Sequence, residues 1–552
     1  MVAVALLLAI GVFLRFYGLS EHFAQFDDLF PIAGPYVMNQ GRPKVVPIPY
    51  TNGRWSITVD TRSIKTNPIL YAAYVSTATY APLQFLAFPL VLHGDYRYRE
   101  FLWRGRLPSA VCASLALFVF GALYRSLSGG IDAGLLVGLC AFSLSLMNIT
   151  YAQQSISYSI GGLAAGMLLL MLMSYARRTP STKRLLWWTL PAALLAYANY
   201  QVGVTVGLAY GALAVTEFVS WGETVKDIAG RYARAGLAYV ALVLPLAVPL
   251  HDKTAGVGQF AGVAGFDAFF PHAPAGSLLD RGTYAVTYGA RALYRVVETD
   301  VTFALNDPAA SACVAILFGF FMIGVVVLMR DRSPAGRAVV LFLAGLVVML
   351  STLNAIGRFP LAPSRHVLVF TPAICLLIGI GGDRLRRTLP GGVIGDATIG
   401  LFLAVMLTVF ARDYGHFREE RRDRFDSAAM EQALTTYGVD TIVGYASTWN
   451  PALMFRDSPR LVAFIDLDAI IRKGSASVVS IPDRSFLLVS QHLPIDRYPS
   501  RYPRESNVMQ WPHHKITQLV RIDSDVEPGI SNAIKIGTNG FYLSLATYVG
   551  GR

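Results

Sequence analysis

Long apolar runs alternate with short polar segments through the first three quarters of the sequence. A membrane-spanning helix needs about 20 mostly apolar residues, and roughly eleven runs approach that length. We therefore predict an α-helical polytopic membrane protein. The predicted spans are 1–17, 108–125, 131–149, 157–175, 185–200, 202–219, 232–250, 310–329, 338–356, 366–382 and 393–410.

The pattern changes near residue 427. An amphipathic helical segment, SAAMEQALTTYG, is followed by short alternating pieces such as RSFLLVSQ and GFYLSLATYV, which are typical of strands. We predict a transmembrane module at 1–410, a charged connector at 411–426 and a small α/β domain at 427–552. About 125 residues suffice for that domain to have its own core.

Composition agrees with a membrane protein. The 552-residue chain is 54% hydrophobic, with a formal net charge of +12 and only 15% charged residues, against about 25% in soluble domains. The basic residues cluster in short loops, which favours topology-setting charge over nucleic-acid binding. Three such loops are ARRTPSTKR (Arg177, Arg178, Lys183, Arg184), RDRSPAGR (Arg330, Arg332, Arg337) and DRLRR (Arg384, Arg386, Arg387).

The basic loops fall on one side of the membrane if the spans alternate, and that side is expected to be cytoplasmic. The loops 18–107 and 251–309 and the domain at 427–552 are then exoplasmic. We accordingly expect a multi-pass protein of the cytoplasmic (inner) membrane. The four cysteines lie within predicted spans at no metal-binding spacing, so the sequence indicates neither a disulfide framework nor a metal site.

An acidic pair follows the first span. In the stretch FAQFDDLFPI, Asp27 and Asp28 precede a segment that can form a helix. A plain helix N-cap is one interpretation. The other is a general base, because the positive end of a helix dipole keeps a carboxylate ionised. The residues alone leave both open.

Further polar groups fall on the same predicted face. Arg and Lys residues beside apolar segments suit a lipid-linked phosphate, although any one of them can simply lie among lipid head groups. Gln and Tyr side chains in YAQQSISYS can bond sugar hydroxyls or cap helix ends. The predicted phosphate and lipid contacts are Arg62, Lys65, Arg358, Arg365 and His366, and the predicted sugar or acceptor contacts are Gln153, Gln154 and Tyr158.

Several stretches resemble one family in the same order along the chain. LRFYGL followed by FDDLFPIA resembles the start of the GT-C integral-membrane glycosyltransferases. YAPLQFLAFPLVL, RGRLPSAVCASLALFVFGALYR and SRHVLVFTPAICLLIGIG resemble segments of its branch of protein O-mannosyltransferases and lipid A aminoarabinose transferases. The likeness covers about residues 1–410.

The resemblance implies a function and roles for residues. Such enzymes move a sugar from a polyprenyl-phosphate carrier to a glycan, glycolipid or protein acceptor at the outer face of the membrane. Asp27 then stands at the position of the base and Arg365 at that of an arginine associated with the donor phosphate. His366 replaces a common Tyr, and Gln153-Gln154 stand where some relatives have Gln-Glu.

No cofactor beyond the lipid-linked donor is expected. A divalent metal is allowed but not indicated, since the chain lacks the WWD-type motif of oligosaccharyltransferases. The expected partners are the donor, the acceptor and membrane lipids, with no nucleic acid. Three alternatives stay open: a polyprenyl-linked glycan polymerase or ligase, a lipid-linked sugar transporter, and a non-catalytic assembly subunit that binds glycolipid.

Overall fold

The structure is a computed structural model. It describes residues 1–21, 45–46, 57–58, 81–91, 98–155, 158–247, 277–301, 308–355, 359, 365–421, 435–436, 438, 441–444, 463–466, 486–490, 514–520, 534–535 and 542–548. The chain divides into two compact units. The first, here called the helical unit, comprises Met1–Tyr17, Ile69–Ala87 and Arg106–Tyr414; the second comprises Gly18–Pro68, Phe88–Gly105 and Gly415–Arg552.

Most of the described residues are helical. In chain order the helices are α1 (Val2–Phe16), α2 (Pro82–Val91), α3 (Tyr98–Ser128), α4 (Ala133–Leu144), α5 (Leu146–Ala152), α6 (Tyr158–Ala176), α7 (Thr182–Ala198), α8 (Tyr200–Trp221), α9 (Val225–Val243), α10 (Leu278–Val301), α11 (Pro308–Arg330), α12 (Pro334–Ala355), α13 (Thr371–Thr388) and α14 (Gly392–Arg421). Short 3-10 turns follow at Leu244–Leu246 and precede α13 at Arg365–Phe370.

Seven helices among the described residues are long and apolar enough to cross a membrane, or up to eight if the bent pair α4–α5 forms one span. All of them coincide with predicted spans, but the predicted number of eleven is not confirmed. The other three predicted spans correspond to α1, α7 and α9. The first two are 15 and 17 residues long, and α9 carries four charged residues, Lys226, Asp227, Arg231 and Arg234.

Two predicted outer loops contain helices. The segment 18–107 includes α2 and the first turns of α3, and the segment 251–309 includes α10. Helix α10 was not predicted, because it carries polar residues such as Asp280, Arg291, Arg295 and Glu298 among its apolar residues. An amphipathic helix of this kind has a periodic pattern but too little total hydropathy to count as a span.

Glycines allow three helices of the helical unit to approach closely. A Cβ atom on Gly134 of α4 would lie 2.3 Å from the carbonyl oxygen of Gly379 in α13. On the other side of α13, a Cβ on Gly381 would lie 1.8 Å from the carbonyl oxygen of Phe320 in α11. Small residues at such contacts are how membrane helices gain packing energy without a hydrophobic driving force.

The arginine-rich loops meet at one end of the helical unit, here called the basic end. Arg177, just after α6, donates to Ser126 Oγ near the end of α3 at 2.7 Å. Arg387 in the last turn of α13 pairs with Asp132, the N-cap of α4, at 3.6 Å. Arg337 near the start of α12 contacts Ser220 near the end of α8. Each of these contacts joins two helix ends that the sequence assigned to the same side of the membrane.

The second unit contains a mixed sheet near the end of the chain. Its strands are β3 (Thr441–Gly444), β4 (Ala463–Asp466), β5 (Phe486–Ser490), β6 (His514–Val520), β7 (Ile534–Lys535) and β8 (Tyr542–Tyr548), following a small hairpin of β1 (Val45–Val46) and β2 (Ile57–Thr58). The order is β4-β3-β5-β8-β6, with β7 also paired to β8. Strands β4, β3 and β5 are parallel, whereas β8 is antiparallel to its neighbours. Strands β3, β4, β5, β6 and β8 fall in segments predicted to be β-rich, whereas β1, β2 and β7 were not predicted. The α/β domain as a whole stays a prediction.

Candidate functional site

The end of the helical unit opposite the basic end, here called the site end, is built around a break in a helix. Helices α4 and α5 meet at an angle of 55°. Between them Ser145 has extended backbone geometry, and its hydroxyl accepts a hydrogen bond from the amide of Asn148 at 3.2 Å. This caps the start of α5 and leaves the last carbonyl groups of α4 without intrahelical partners.

Arg15 of α1 supplies partners for those carbonyls. Its side chain is fully buried and donates to Phe142 O at 3.1 Å and to Ser143 O at 3.4 Å. It also donates to Gly11 O at 2.8 Å and lies 5.6 Å from the centre of the Phe142 ring. Among the described residues no carboxylate pairs with it; the negative end of the α4 dipole stabilises the guanidinium charge instead.

Gln153, directly after α5, contacts the end of α1. It is fully buried, and its Nε2 donates to Leu14 O and to Tyr17 O, both at 2.8 Å. The side-chain oxygen atoms of Gln153 and of its buried neighbour Gln154 have no hydrogen-bond partner within the described part of the chain. The amide nitrogen of Gln153 is therefore occupied by α1, and only its oxygen is left for the predicted sugar contact.

Tyr158 and His366 meet although 208 residues separate them in sequence. The Tyr158 hydroxyl lies 3.2 Å from His366 Nδ1, and the two rings pack edge to face with centroids 5.6 Å apart. Tyr151 packs on Tyr158 at 5.3 Å, and Phe359 lies 6.1 Å from the His366 ring. This aromatic group joins the first turn of α6 to the 3-10 turn that precedes α13.

A small cavity lies beside these groups. Its polar lining comes from Arg15, Asn148, Tyr151, Tyr158 and Ser159, and its volume is about 20 Å³. A space of this size accommodates about one water molecule. It is too small for a sugar ring, so the cavity is a feature of the site wall and not the sugar pocket.

Asp300 lies fully buried next to the start of α13. Its Oδ1 contacts the hydroxyl of Thr371, which is also 2.8 Å from Leu368 O and 3.3 Å from Asn148 Oδ1. A hydroxyl has one proton, and carbonyl oxygens can only accept. Thr371 therefore donates to one of these three oxygens at a time, and Asp300 Oδ1 is among its acceptors.

The Asp300 carboxyl is shielded from solvent. Burial raises its pKa well above its usual range, and the hydrogen bond from Thr371 only partly opposes this shift. The second oxygen of Asp300 has no hydrogen-bond partner within the described residues. Burial thus favours the neutral form of this carboxyl.

The structure describes some of the predicted site residues and leaves others outside the described ranges. Gln153, Tyr158 and His366 lie at the site end, and Gln154, next to Gln153 in sequence, is buried. Arg365 begins the 3-10 turn, and its side chain is outside what the structure describes. The other predicted residues lie outside the described ranges: Asp27, Asp28, Arg62, Lys65 and Arg358. Their roles stay predictions.

Three residues of the site end had no predicted role. Arg15 stands at the end of an apolar run, where a cation normally reaches the head groups, and nothing in the local pattern indicates its burial. Asn148 lies at the end of a predicted span, and Asp300 lies in a segment predicted as a loop. Within the described ranges no group of three or more His, Cys, Asp or Glu residues is placed to hold a metal ion.

Comparisons with known proteins give low similarity. No protein-family model and no curated protein matches the chain. ArnT from Cupriavidus metallidurans bound to undecaprenyl phosphate is similar with a TM-score of 0.48 and 12% identity, covering 98% of this chain and 97% of ArnT. The apo oligosaccharyltransferase of Archaeoglobus fulgidus has a TM-score of 0.48 and 9% identity, covering 88% of this chain and 69% of that enzyme. Similarity at this level does not assign an activity.

Proposed function

We propose that the protein is an inverting glycosyltransferase that uses a polyprenyl-phosphate sugar as donor and acts at the outer face of the cytoplasmic membrane. The observation that carries the proposal is the contact between Tyr158 and His366. This contact joins two segments at one end of the helical unit: YAQQSISYS, which is predicted to bind sugar, and SRHVLVF, which is predicted to bind phosphate.

The charge distribution supports the orientation. The basic end gathers Arg177, Arg337 and Arg387 in short loops or last helical turns. Short loops rich in Lys and Arg stay in the cytoplasm. The site end, which lies opposite, then faces outward, where nucleotide-activated sugars are absent and a lipid-linked donor is the fitting substrate.

The proposed reaction is a single displacement. Asp27 accepts the proton of the acceptor hydroxyl while the hydroxyl oxygen bonds to the anomeric carbon. The bond from that carbon to the phosphate oxygen breaks, and its electron pair leaves with the polyprenyl phosphate. One displacement without a covalent intermediate inverts the anomeric centre.

Cationic groups would stabilise the leaving phosphate as its charge develops. Arg365 stands at the start of the 3-10 turn next to His366, and Arg62, Lys65 and Arg358 belong to the same predicted set. One preorganised donor of this kind is worth about 10²–10³ in rate. Asp28 is proposed to support Asp27, and Gln154 and the oxygen of Gln153 to contact the sugar or the acceptor.

Sugar transfer tests the proposal. Purified wild type and Asp27→Asn would be incubated with a panel of radiolabelled polyprenyl-phosphate sugars and membrane glycolipid extract, with and without a chelator. We expect transfer by wild type and none by the equally folded Asp27→Asn protein. Equal transfer by both would refute Asp27 as the base and favour its reading as an N-cap, because Asn also caps helices well.

The same preparations test the alternatives. Glycolipid binding without transfer by wild type would favour an assembly subunit. Movement of lipid-linked sugar across a vesicle bilayer without transfer would favour a transporter, and elongation of a lipid-linked glycan would favour a polymerase or ligase.

A further inference from the structure

The small cavity at the site end has the right size for one water molecule. Its volume is about 20 Å³, and a bound water needs at least about 10–15 Å³ and roughly two to four polar partners. Apolar groups form part of the cavity wall, among them Ala113, Ala116 and Leu368. A purely apolar cavity stays dry, so the polar atoms in the rest of the wall decide what the cavity binds.

Arg15, which lines the cavity, has one hydrogen-bond donor to spare. Its two terminal nitrogens, Nη1 and Nη2, donate to the carbonyl oxygens of Gly11, Phe142 and Ser143. The third nitrogen, Nε, carries one N–H group. This group has no partner among the described residues although the side chain is fully buried. A buried donor on a charged group is costly to leave unpaired, so Nε favours an occupant that accepts a hydrogen bond.

Two other polar groups of the cavity wall have only acceptors to offer. The hydroxyl of Ser159 donates its one proton to Tyr151 O at 3.0 Å, which leaves the lone pairs of its oxygen. The amide nitrogen of Asn148 uses its two protons on Ser145 Oγ at 2.9 Å and on Asp300 O at 3.1 Å. The amide oxygen of Asn148 can accept two hydrogen bonds, and the described residues supply at most one of them.

The occupant of the cavity must therefore accept a hydrogen bond from one group and donate to others. A halide ion can only accept, and an ammonium ion can only donate and would add a second positive charge beside Arg15. A water molecule does both. We propose that the cavity binds one water molecule, which accepts from Arg15 Nε and donates to Ser159 Oγ and Asn148 Oδ1. This water joins α1, α5 and α6 beside the break between α4 and α5.

Gly162 of α6 offers a way to expel the water without forcing the helices apart. It lines the cavity, and a Cβ atom there would lie 3.8 Å from Leu368 O, which is an ordinary contact distance. The methyl group of Gly162→Ala therefore fits, and it takes up about the volume of one water molecule. Because Arg15 Nε then loses its partner, we expect the melting temperature to fall by a few degrees.

Gly207→Ala in α8 is the matched control. A Cβ atom on Gly207 would contact no other element within the described ranges, so this variant measures the gain in helix propensity alone. Its melting temperature should stay unchanged or rise. If the cavity is dry, the methyl group of Gly162→Ala fills an empty space and gains packing contacts. A melting temperature of Gly162→Ala equal to or above that of Gly207→Ala would therefore overturn the proposal.

Gly162→Ser separates loss of the water from crowding. The serine side chain is larger than that of alanine, and serine has the lower helix propensity, so crowding predicts a lower melting temperature for Gly162→Ser than for Gly162→Ala. A serine hydroxyl can instead replace the water, since it both accepts and donates hydrogen bonds. We therefore expect Gly162→Ser to be the more stable of the two variants, and the opposite order would count against a bound water.

An experimental structure of wild type that resolves ordered waters, with bromide replacing chloride in the buffer, gives the most direct test. We expect density for one water within hydrogen-bond distance of Arg15 Nε and of Ser159 Oγ or Asn148 Oδ1, without an anomalous signal. Absence of density in the cavity would overturn the proposal, and so would a bromide signal there. None of these measurements depends on sugar transfer, so their outcome is independent of the proposed function.

Discussion

The two ends of the helical unit differ in how their buried polar groups are paired. At the basic end, Arg231 pairs with Glu217 at 3.2 Å and with Glu223 at 2.6 Å. Arg387 pairs with Asp383 at 2.7 Å and with Asp132 at 3.6 Å. Each buried charge there has a neighbour of opposite sign, which is what a structural role requires.

Buried atoms without a hydrogen-bond partner occur at both ends within the described residues: the side-chain oxygens of Gln153 and Gln154, Asp300 Oδ2 and Arg15 Nε at the site end, and Glu217 Oε2, Arg231 Nη1 and Asp383 Oδ1 at the basic end. The basic-end atoms belong to side chains that form ion pairs with an opposite charge. Within the described residues, Arg15 and Asp300 at the site end form no ion pair, so the difference between the two ends lies in charge pairing. The contrast suggests that the basic end serves stability and the site end serves turnover. Four predictions test this separation, from the largest effect to the smallest.

The largest effect is expected for Asp27→Asn. General base catalysis contributes about 10²–10⁴ in rate, so transfer should fall by that factor while the melting temperature stays unchanged. Asp28→Asn should lower the transfer rate less, because two adjacent side chains cannot both reach the same proton. Quantitative transfer assays and thermal unfolding of the same preparations check this. A parallel loss of activity and stability would show that the acidic pair is structural.

At the basic end, Arg231→Met should affect stability and not turnover. It leaves the buried Glu217 without its cation, which costs about 3–5 kcal/mol, so the melting temperature should fall markedly. Replacing Glu217 by Gln in the same protein should restore part of the loss. The exposed Arg234 of the same helix gives the control Arg234→Met, with little effect expected. The separation of roles fails if Arg231→Met lowers the activity per folded molecule.

Asp300 should give stability an unusual pH dependence. Because its folded-state pKa is raised, the folded protein binds a proton that the unfolded chain releases above about pH 4. Stability should therefore decrease as pH rises from that value to the folded-state pKa, by up to about 1.4 kcal/mol per pH unit. Asp300→Asn should remove this slope, as measured by chemical unfolding at several pH values.

A second carboxyl on α10, that of Asp280, should give stability a pH dependence of the opposite sign. Asp280 is exposed, and hydrogen bonds from Ser277 lower its pKa. Asp280→Asn should lower stability near neutral pH and have no effect in acid, since a lowered pKa contributes stability that is lost as the pH falls. An Asp300→Asn protein whose stability has the same pH dependence as wild type would show that Asp300 is ionised when folded.

The smallest effect is expected for Tyr158→Phe. It removes one hydrogen bond, that to His366, worth about 1 kcal/mol, so transfer should fall several-fold with a small change in melting temperature. Tyr232→Phe removes a bond of 2.9 Å to Glu217 at the basic end and should lower only the melting temperature. Steady-state kinetics, measured for both variants under the same conditions, show whether only Tyr158→Phe lowers the transfer rate.

The sequence predicted the spans well because their signal is local. Helices α3, α6, α8 and α11 to α14 have long apolar runs, and each overlaps a predicted span. The bounds differ most where a helix extends beyond its apolar run: α3 begins at Tyr98 and not at 108, and α14 ends at Arg421 and not at 410. The break at Ser145 was not predicted, because its apolar run continues without interruption and the bend depends on a partner helix. Helix α10 was missed because hydropathy detects total apolarity and not an amphipathic face.

The site was predictable only in part, and for a physical reason. Residue type and predicted membrane side were enough to group Gln153, Tyr158 and His366, which the structure brings to one end. Their individual bonds depend on packing: Gln153 uses its amide nitrogen for the end of α1, which a pattern of polar residues cannot reveal. Arg15 and Asp300 were missed because burial of a charged residue type comes from tertiary contacts, which span 128 positions for Arg15 and 152 for Asp300.

Binding of a polyprenyl phosphate to the detergent-purified protein tests the central claim most directly. Its affinity would be measured for wild type, Arg365→Gln at the site end and Arg332→Gln in the exposed loop of the basic end. We predict that wild type and Arg332→Gln bind equally and that Arg365→Gln binds about tenfold or more weakly, because it loses a charge-assisted contact with the phosphate. Equal affinity of all three proteins, or equal weakening by both substitutions, would contradict the assignment of the site end to the donor.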